Sequence, residues 1–390
     1  MTLEQLAWQT PKLITSPNLV LANVLARTID LLAPRISVQK PNKAVFVVGT
    51  QINGSPHFGT HLVQTAAFTL AKLARQRFAI DTCVHFSALD NSPHEIVSDR
   101  RSGHQYQKTL YHALGKQNVS DLIASKYTPF LDEVSEATEI PYKLIAYSDQ
   151  QQTLEFRATF IRSLDVLEHI KWWLSPSQGA VHLRVPCPVC GWAEKRAERT
   201  RVLKHTKECA VVAAHCLNHG EYGVEIGMDG KNYLDLSTLY RNVIKERVVA
   251  RDTDNLYVMV KGGDWTYACQ LVDGAHSAMH AAEGPLPFRI FTPQILSSTG
   301  AKLSKSSLKT GDANRPTDVA DWMLDASAWP GQLRDYCKAM LWLSETLADD
   351  PRNFFRSFTT EEIARLWRFA PVSETPAMGT PPITHAQTGS

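Results

Sequence analysis

The sequence lacks any stretch of about 18 consecutive apolar residues, so we expect no membrane-spanning segment. Between Met1 and Ser16 it also lacks a cationic stretch followed by an apolar run, so we expect no secretory signal. Neither sign of charge dominates, because 41 Lys and Arg stand against 39 Asp and Glu. This balance argues against a strongly electrostatic binder of nucleic acid, and we expect no DNA partner, although a local basic face remains open.

Cysteine is scarce, and its seven residues are an odd number, with four of them between Cys187 and Cys216. That clustering is typical of a metal site in a reducing compartment rather than of a disulfide framework, so we predict a cytoplasmic protein. The sequence has no internal repeat. At 390 residues and 44% hydrophobic composition, the chain can bury two or three domains.

Apolar runs that alternate with helical periods predict an α/β fold. Residues 44–48 form the continuous apolar run expected of a parallel strand buried on both faces, and residues 62–78 follow with a helical period. Residues 82–88 form the next strand candidate. Strand, glycine-bearing turn, helix and strand make a βαβ unit, so we predict a doubly wound parallel sheet.

The pattern along the rest of the chain divides it into segments. We predict an N-terminal helical segment over 1–40, with Pro34 ending an apolar helical pattern, and the first half of the α/β core over 41–180, mainly helical over 104–175. A zinc-ribbon module over 181–226 precedes the second half of the core over 227–315, with strands at 255–260 and 267–272. A C-terminal helical subdomain over 316–370 and a disordered tail over 371–390 complete the chain.

Four tryptophans of the C-terminal subdomain have two open interpretations. They either pack the subdomain, which is the usual role of tryptophan, or form a stacking surface. They are Trp322, Trp329, Trp342 and Trp367.

Two pairs of potential ligands predict a zinc site. Cys187 and Cys190 form a C-x-x-C followed by glycine, and Cys216 and His219 repeat the spacing. Thiolate and imidazole suit Zn²⁺, and four protein ligands would make the site closed and structural. Cys209 and His215 are competing ligands, and buried free cysteines are the alternative to any metal.

Basic residues lie between the two ligand pairs. They form either the solvated face of the ribbon or a contact for an RNA backbone. They are Lys195, Arg196, Arg199, Arg201, Lys204 and Lys207.

Two distant segments suggest a nucleotide site. In the turn before residues 62–78, Gly54 and Gly59 would allow close backbone approach, and the helix N-terminus offers N–H groups to a phosphate. His57 could hydrogen-bond the α-phosphate, while Lys302 and Lys305 could neutralise the β- and γ-phosphates. Taken singly, such a histidine is usually structural and such lysines are usually solvated surface.

Together the two segments resemble the signatures of the class I aminoacyl-tRNA synthetases, His-Ile-Gly-His and Lys-Met-Ser-Lys-Ser. They read here His57-Phe58-Gly59-Thr60 and Lys302-Leu303-Ser304-Lys305-Ser306, with His61 after the departure at Thr60. Residues 53–57 look like the methionyl version of the first signature. Residues 265–273 are similar to the strand before the second signature in glutamyl-type and class I lysyl enzymes, and the zinc ribbon fits methionyl and class I lysyl relatives.

The resemblance implies a Rossmann-like, HUP-type core that binds ATP, Mg²⁺ and an amino acid, forms an aminoacyl-adenylate and releases pyrophosphate. It implies catalytic roles for His57, Lys302 and Lys305. The ATP-binding residues would be Gly49, Thr50, Asn53, Gly54, Gly59, Thr60, His61, Ser304 and Ser306, and the substrate-binding residues Asp90, Asn91 and Asp273.

The chain after Ser306 has room for only a short helical subdomain, so we expect no full anticodon-binding domain. The acceptor of the activated amino acid would then be the acceptor end of a tRNA or a small molecule or carrier. Two alternatives stay open. One is a non-catalytic, synthetase-derived regulator that binds an amino acid or tRNA, and the other is a different nucleotidyltransferase on the same fold.

Overall fold

The computed structural model of the protein describes residues 24–175, 183–279, 282–297, 300–303 and 319–371. The helices, labelled α1 to α13 in chain order, are Ala33–Gln39, Phe58–Phe78, Leu110–Lys126, Thr128–Thr138, Tyr147–Gln150, Leu154–Ser163, Leu167–Leu174, Thr238–Val249, Thr266–Ala278, Asp321–Leu324, Leu333–Asp349, Pro351–Phe354 and Thr360–Trp367. The strands β1 to β15 are Lys43–Gln51, Asp81–Leu89, Pro93–Ser98, Gln105–Thr109, Tyr142–Ala146, Leu183–Arg184, Trp192–Glu194, Arg201–His205, Cys209–Cys216, Gly220–Gly227, Asp235–Leu236, Asn255–Gly262, Phe288–Thr292, Ile295–Leu296 and Phe358–Thr359. Short 3₁₀ helices cover Thr28–Leu32, Leu164–Val166, Gly263–Trp265 and Ala326–Ala328.

A five-stranded sheet in the order β13-β12-β1-β2-β5 forms the centre of the molecule. All its neighbouring strands run parallel. The chain adds β2 and β5 on one side of β1 and then crosses to the other side for β12 and β13, so the order reverses between β1 and β12. Open α/β sheets bind ligands outside the carboxyl ends of their strands at such a switch point. The predicted doubly wound α/β fold is confirmed.

Helix α2 covers the sheet and presents its first turn to the carboxyl edge. It begins after His57, which has an extended backbone (φ −96°, ψ 167°), and ends at Ala79 in the left-handed region (φ 54°). Its buried positions, among them Leu62, Ala66 and Leu70, recur with helical spacing and join the main hydrophobic core. Burial on the sheet therefore fixes where the first turn of α2 lies.

The C-terminal helices pack on the same core. Trp322 and Trp367 are buried, and both rings meet Phe58 at the start of α2 edge-on, with centroids 5.7 and 5.6 Å away. The amide of Ala326 donates to the carbonyl of Pro56 at 3.0 Å, so this subdomain also holds the turn before α2. The packing interpretation of the tryptophans holds for Trp322 and Trp367, and Trp329 and Trp342 are partly buried against that core.

Two secondary-structure expectations are wrong. Residues 267–272 lie in helix α9, not in a strand, and the buried Cys269 and Val272 stand three residues apart on its inner face. Pro34 lies in the first turn of α1, where its missing N–H costs no hydrogen bond, so it begins a helix rather than ending one. The stretch 104–175 is mainly helical as predicted, and it also contains the strands β4 and β5.

No helix among the described residues is long and apolar enough to cross a membrane. The N-terminal helical prediction over residues 1–23 and the predicted tail from residue 372 onward lie outside the described residues. The domain boundaries remain predictions.

Candidate functional site

A cavity of about 390 Å³ opens at the switch point of the sheet. Residues 47–51 at the carboxyl end of β1 and 259–262 at the end of β12 form its base. The first turn of α2, one face of α8 and the residues 293–295 and 302–303 contribute its walls. We call it the switch-point cavity.

The first signature lies on the α2 wall. Gly49, Thr50, His57, Gly59 and Thr60 all line the cavity. A Cβ atom on Gly59 would lie 3.1 Å from Cε1 and 3.2 Å from Nδ1 of His57, so the glycine leaves room for the imidazole against the first turn of α2. The imidazole thus lies beside the helix N-terminus, whose amide groups and dipole favour an anion.

The second signature begins on the facing wall. The backbone of Lys302 pairs with that of Leu296, and the amide of Leu303 donates to the carbonyl of Ile295 at 2.9 Å. This pairing directs the Lys302 ammonium to the carboxylate of Asp264, and both residues line the cavity. Segments from distant parts of the chain therefore meet across one cavity. The predicted site residues Ser304, Lys305 and Ser306 lie outside the described residues.

Three further cations line the switch-point cavity, and the sequence analysis missed them. Arg241 donates to Oδ1 of Asn91 at 3.1 Å, Lys245 to Oγ of Ser87 at 3.0 Å, and Lys261 to Oδ1 of Asn242 at 2.8 Å. All three acceptors are neutral. None of the three cations forms an ion pair with any described residue, although Arg241 and Lys245 are buried. We call Arg241, Lys245 and Lys261 the cation trio.

The electrostatics of the trio favour a bound anion. Burial, with Arg241 and Lys261 close by, lowers the pKa of Lys245 to about 7. Burial also lowers the pKa of Lys261 and of Arg241. Glu246 and Asp235 offset part of this positive charge without forming an ion pair with the trio. Buried cations without a paired anion are costly, so an anion that enters the cavity would gain from all three groups.

A sequence signal for part of the trio exists. Arg241 and Lys245 stand four residues apart on α8, which places both side chains on one face of the helix. Lys261 follows the buried strand residues 258–260 at the carboxyl end of β12. None of these residues indicates a site by itself, and the packing of α8 against the sheet brings them to one cavity.

Three predicted ATP ligands lie elsewhere. Nδ2 of Asn53 donates to the carbonyl of Pro93 at 3.2 Å, and the hydroxyl of Tyr127 donates to the carbonyl of Gly54 at 2.6 Å. Neither residue lines the switch-point cavity. His61 is buried on the opposite side of α2, where its ring stacks on Phe130 at 3.8 Å and its Nδ1 lies 3.0 Å from the Tyr336 hydroxyl.

The predicted substrate ligands do not gather in the switch-point cavity either. Asp90 accepts a hydrogen bond from the Ser148 amide at 3.0 Å and lines a separate cavity of about 220 Å³, and burial raises its pKa to about 6. Asp273 lies on α9 and pairs with Arg289 at 2.6 Å, away from both cavities. Asn91 is buried, and its amide group joins Asp235, at 2.8 Å, to Arg241.

A second cavity of about 430 Å³ adjoins the switch-point cavity, with Gln51, Thr238 and Arg241 lining both. Arg184, Lys195 and Arg196 add positive charge to its wall. The remaining lining residues that carry polar side chains are Asn91, Ser92, Gln107, Ser175 and Ser237. We call it the side cavity.

The cysteine module brings four donors together. Nδ1 of His219 lies 3.5 Å from the sulfurs of Cys187 and Cys190 and 3.4 Å from that of Cys216, and the Cys190 and Cys216 sulfurs are 3.3 Å apart. A tetrahedral Zn²⁺ would set such donors about 3.5–3.8 Å apart. The donor set and its spacing therefore fit a closed, structural Zn²⁺ site.

The competing ligands take no part in this cluster. Cys209 has its sulfur 3.7 Å from Oγ1 of Thr206, and His215 pairs with Glu221 at 3.2 Å. His219 is therefore the fourth donor. Cys187 and Cys190 lie between β6 and β7, while Cys216 ends β9 and His219 lies in the turn to β10, so a metal would tie β7 to the three-stranded sheet β8-β9-β10.

The basic residues of the module divide into two groups. Arg201 pairs with the exposed Glu221 at 3.2 Å, which fits the solvated-face interpretation, whereas Arg199 pairs with the buried Glu194 at 3.2 Å. Lys195 and Arg196 instead line the side cavity, next to the switch-point cavity.

No protein-family model matches the chain, and no curated protein sequence matches it. Among solved structures it is similar to a protein assigned as an arginyl-tRNA synthetase from Campylobacter jejuni, with 11% identity, 92% and 93% of the two chains covered and a TM-score of 0.29. It is also similar to a glutamate tRNA ligase from Elizabethkingia meningosepticum in complex with its amino acid, with 12% identity, 82% and 68% coverage and a TM-score of 0.33. A third structure is Mycobacterium tuberculosis methionyl-tRNA synthetase with methionyl-adenylate, with 15% identity, 84% and 67% coverage and a TM-score of 0.37. These identities and TM-scores are too low to support a function, so the proposed function rests on the residues of the cavity.

Proposed function

We propose that the protein binds ATP in the switch-point cavity and activates the carboxylate of an amino acid by adenylation. The observation that carries the proposal is the meeting of His57 and the first turn of α2 with Lys302 across one cavity at the switch point. The first turn of α2 and the Lys302 ammonium group both favour phosphate. They come from distant parts of the chain and yet line the same cavity.

The chemistry follows from this arrangement. A carboxylate oxygen of the amino acid attacks the α-phosphorus of ATP, and the bond from that phosphorus to the bridging oxygen of the β-phosphate breaks. Pyrophosphate leaves with the electron pair of that bond. His57 and the α2 amides would stabilise charge on the α-phosphate, and Lys302 would stabilise charge on the leaving pyrophosphate; His57 and Lys302 line the same cavity. Mg²⁺ carried by the ATP would neutralise further phosphate charge.

The activated amino acid then passes to a tRNA acceptor end or a small-molecule acceptor. The side cavity supports this step, because it adjoins the reaction cavity and carries Arg184, Lys195 and Arg196 on its wall. Cys187, Cys190, Cys216 and His219 would hold a Zn²⁺ that takes no part in the reaction and stabilises the fold of the module.

Amino-acid-dependent exchange of pyrophosphate into ATP, measured across a panel of amino acids with and without tRNA, tests the proposal. We expect Lys302→Ala to lower exchange by about 100-fold or more, as loss of one preorganised donor does. Lys231→Ala, at an exposed lysine paired with Asp229, is the matched control and should leave exchange unchanged. Absence of exchange with every amino acid would refute the proposal, and ATP binding without exchange would favour a non-catalytic regulator.

A further inference from the structure

We infer that the acid activated in the switch-point cavity carries a second anionic group, which the cation trio binds. The inference rests on the proposed function and deepens it, because it names a substrate class of dicarboxylic and similarly acidic compounds. It follows from the charges of the cavity wall rather than from the nucleotide-binding segments.

Each cation of the trio has hydrogen-bond donors that its described contacts do not use. An ammonium group offers three donors and a guanidinium five, yet the described contacts of Lys245, Lys261 and Arg241 use one donor each. These acceptors are a hydroxyl and two amide oxygens, and Arg241 and Lys261 also lie over the rings of Tyr147 and Trp265. Most donors of the trio therefore have no acceptor among the described side chains, and none of the three cations forms an ion pair with a described residue.

The second step concerns position. The trio comes from α8 and β12, whereas His57 and Lys302, which face the phosphates of the proposed ATP, come from α2 and the segment after β14. Ser87, the partner of Lys245, lies beside Gly49 in the sheet, and Arg241 extends the positive wall into the side cavity. An anion bound by the trio therefore lies towards the side cavity, where a substrate would reach beyond the nucleotide.

The third step excludes other substrate classes. Asp264 is the acidic residue among the described residues that line the switch-point cavity, and it already pairs with Lys302. The side cavity has no acidic lining residue in the described parts of the chain. A cationic side chain would meet repulsion without a partner, and a neutral amide would leave the trio unpaired. A site that is built to pair with one substrate group strongly rejects analogues that lack that group.

The test uses the full chain without ATP and measures thermal stabilisation and calorimetric affinity for glutamate and aspartate. Glutamine and asparagine serve as neutral analogues and lysine as a cationic one. We expect an acid to bind at least about 100-fold more tightly than its amide. Lys245→Met should weaken acid binding at least tenfold while the variant folds at least as stably as the wild type, because a buried unpaired charge is gone. Lys231→Met is the matched control and should keep the affinity.

The outcomes separate the inference from the proposed function. Pyrophosphate exchange with a neutral or cationic amino acid would overturn the inference and support adenylation. Acid binding that depends on Lys245 without any exchange would support the anion site and refute adenylation. A Lys245→Met variant that loses ATP affinity but keeps its affinity for acids would assign the trio to the phosphates and overturn the inference. Equal affinity for acids and amides would overturn it as well.

Discussion

Glu246, the residue after Lys245 on α8, offers the sharpest test of how the cavity wall is held. Its carboxylate is buried, with Oε2 3.1 Å from Nε2 of His276 and Oε1 3.2 Å from Nε of Arg289. Arg247 donates to Nδ1 of His276, so that nitrogen is the acceptor and Nε2 carries the proton donated to Glu246. This network ties α8 to α9 and β13, and α8 carries Arg241 and Lys245 into the cavity.

The size of the effect follows from the pKa of Glu246. Burial alone would raise that pKa, but hydrogen bonds from His276 and Arg289 and the charge of Lys261 lower it from 4.5 to about 2. The difference between 4.5 and about 2 in the Glu246 pKa corresponds to about 3 kcal/mol of folding stability. Because the folded pKa is depressed, this stability is fully present above pH 4.5 and is lost as the pH falls towards 2. Glu246→Gln should lose it at neutral pH.

Urea unfolding at pH 7, followed by tryptophan fluorescence, should give Glu246→Gln an unfolding free energy about 3 kcal/mol below that of the wild type. The variant should also lose the part of the acid-induced destabilisation that this carboxyl causes below pH 4.5. Glu361→Gln, at an exposed residue paired with Arg365, should change stability by less than about 1 kcal/mol. If Glu246→Gln and Glu361→Gln are equally stable, the network does not hold α8 and the reasoning fails.

Further outcomes follow from other parts of the structure. Purified protein should contain one zinc per chain, and His219→Ala should lower metal content measured by plasma emission; a metal-free wild type would contradict the site. Gly274→Ala should cost about 1–3 kcal/mol in urea unfolding, because its Cβ would lie 2.1 Å from the Trp173 ring, whereas Gly223→Ala meets open space and should be near neutral. Burial raises the pKa of Asp90 from 3.8 to about 6, so wild-type stability relative to Asp90→Asn should fall by about 1 kcal/mol from pH 5 to pH 8; a constant difference would refute the burial argument.

The central sheet could be predicted where strands are buried on both faces. Strands β1 and β12 contain continuous apolar runs, β2 mixes apolar and polar residues, and the helix between β1 and β2 shows a helical period. Residues 267–272 show how a short window misleads, since six residues carry too little period to separate strand from helix. The topology resolves it, because a parallel neighbour of β12 needs a crossover, and α9 supplies that crossover to β13.

The site was less predictable than the fold. His57 and Lys302 line the cavity, and both could be proposed from the sequence because each lies in a recognisable segment. His61 does not line it, because Thr60 and Val63 form the cavity face of α2 and the His61 ring contacts Tyr336 of the C-terminal helices. No sequence motif joins the residues of the cation trio, because they lie on both α8 and β12. That they line one cavity depends on how the strands and helices pack, which the sequence pattern does not show.

A buried polar chain links the zinc module to the cavity. Arg184 donates to the carbonyl of Lys195 at 3.2 Å and to Asp235 at 2.6 Å, and Asn91 joins Asp235, at 2.8 Å, to Arg241, at 3.1 Å. Every residue of this polar chain is hydrogen-bonded, so the network favours one arrangement of its charged groups. If zinc orders the module, it also fixes Lys195 and Arg184, and through them the position of Arg241. A structural metal far from the reacting atoms would then set the geometry of the cation trio.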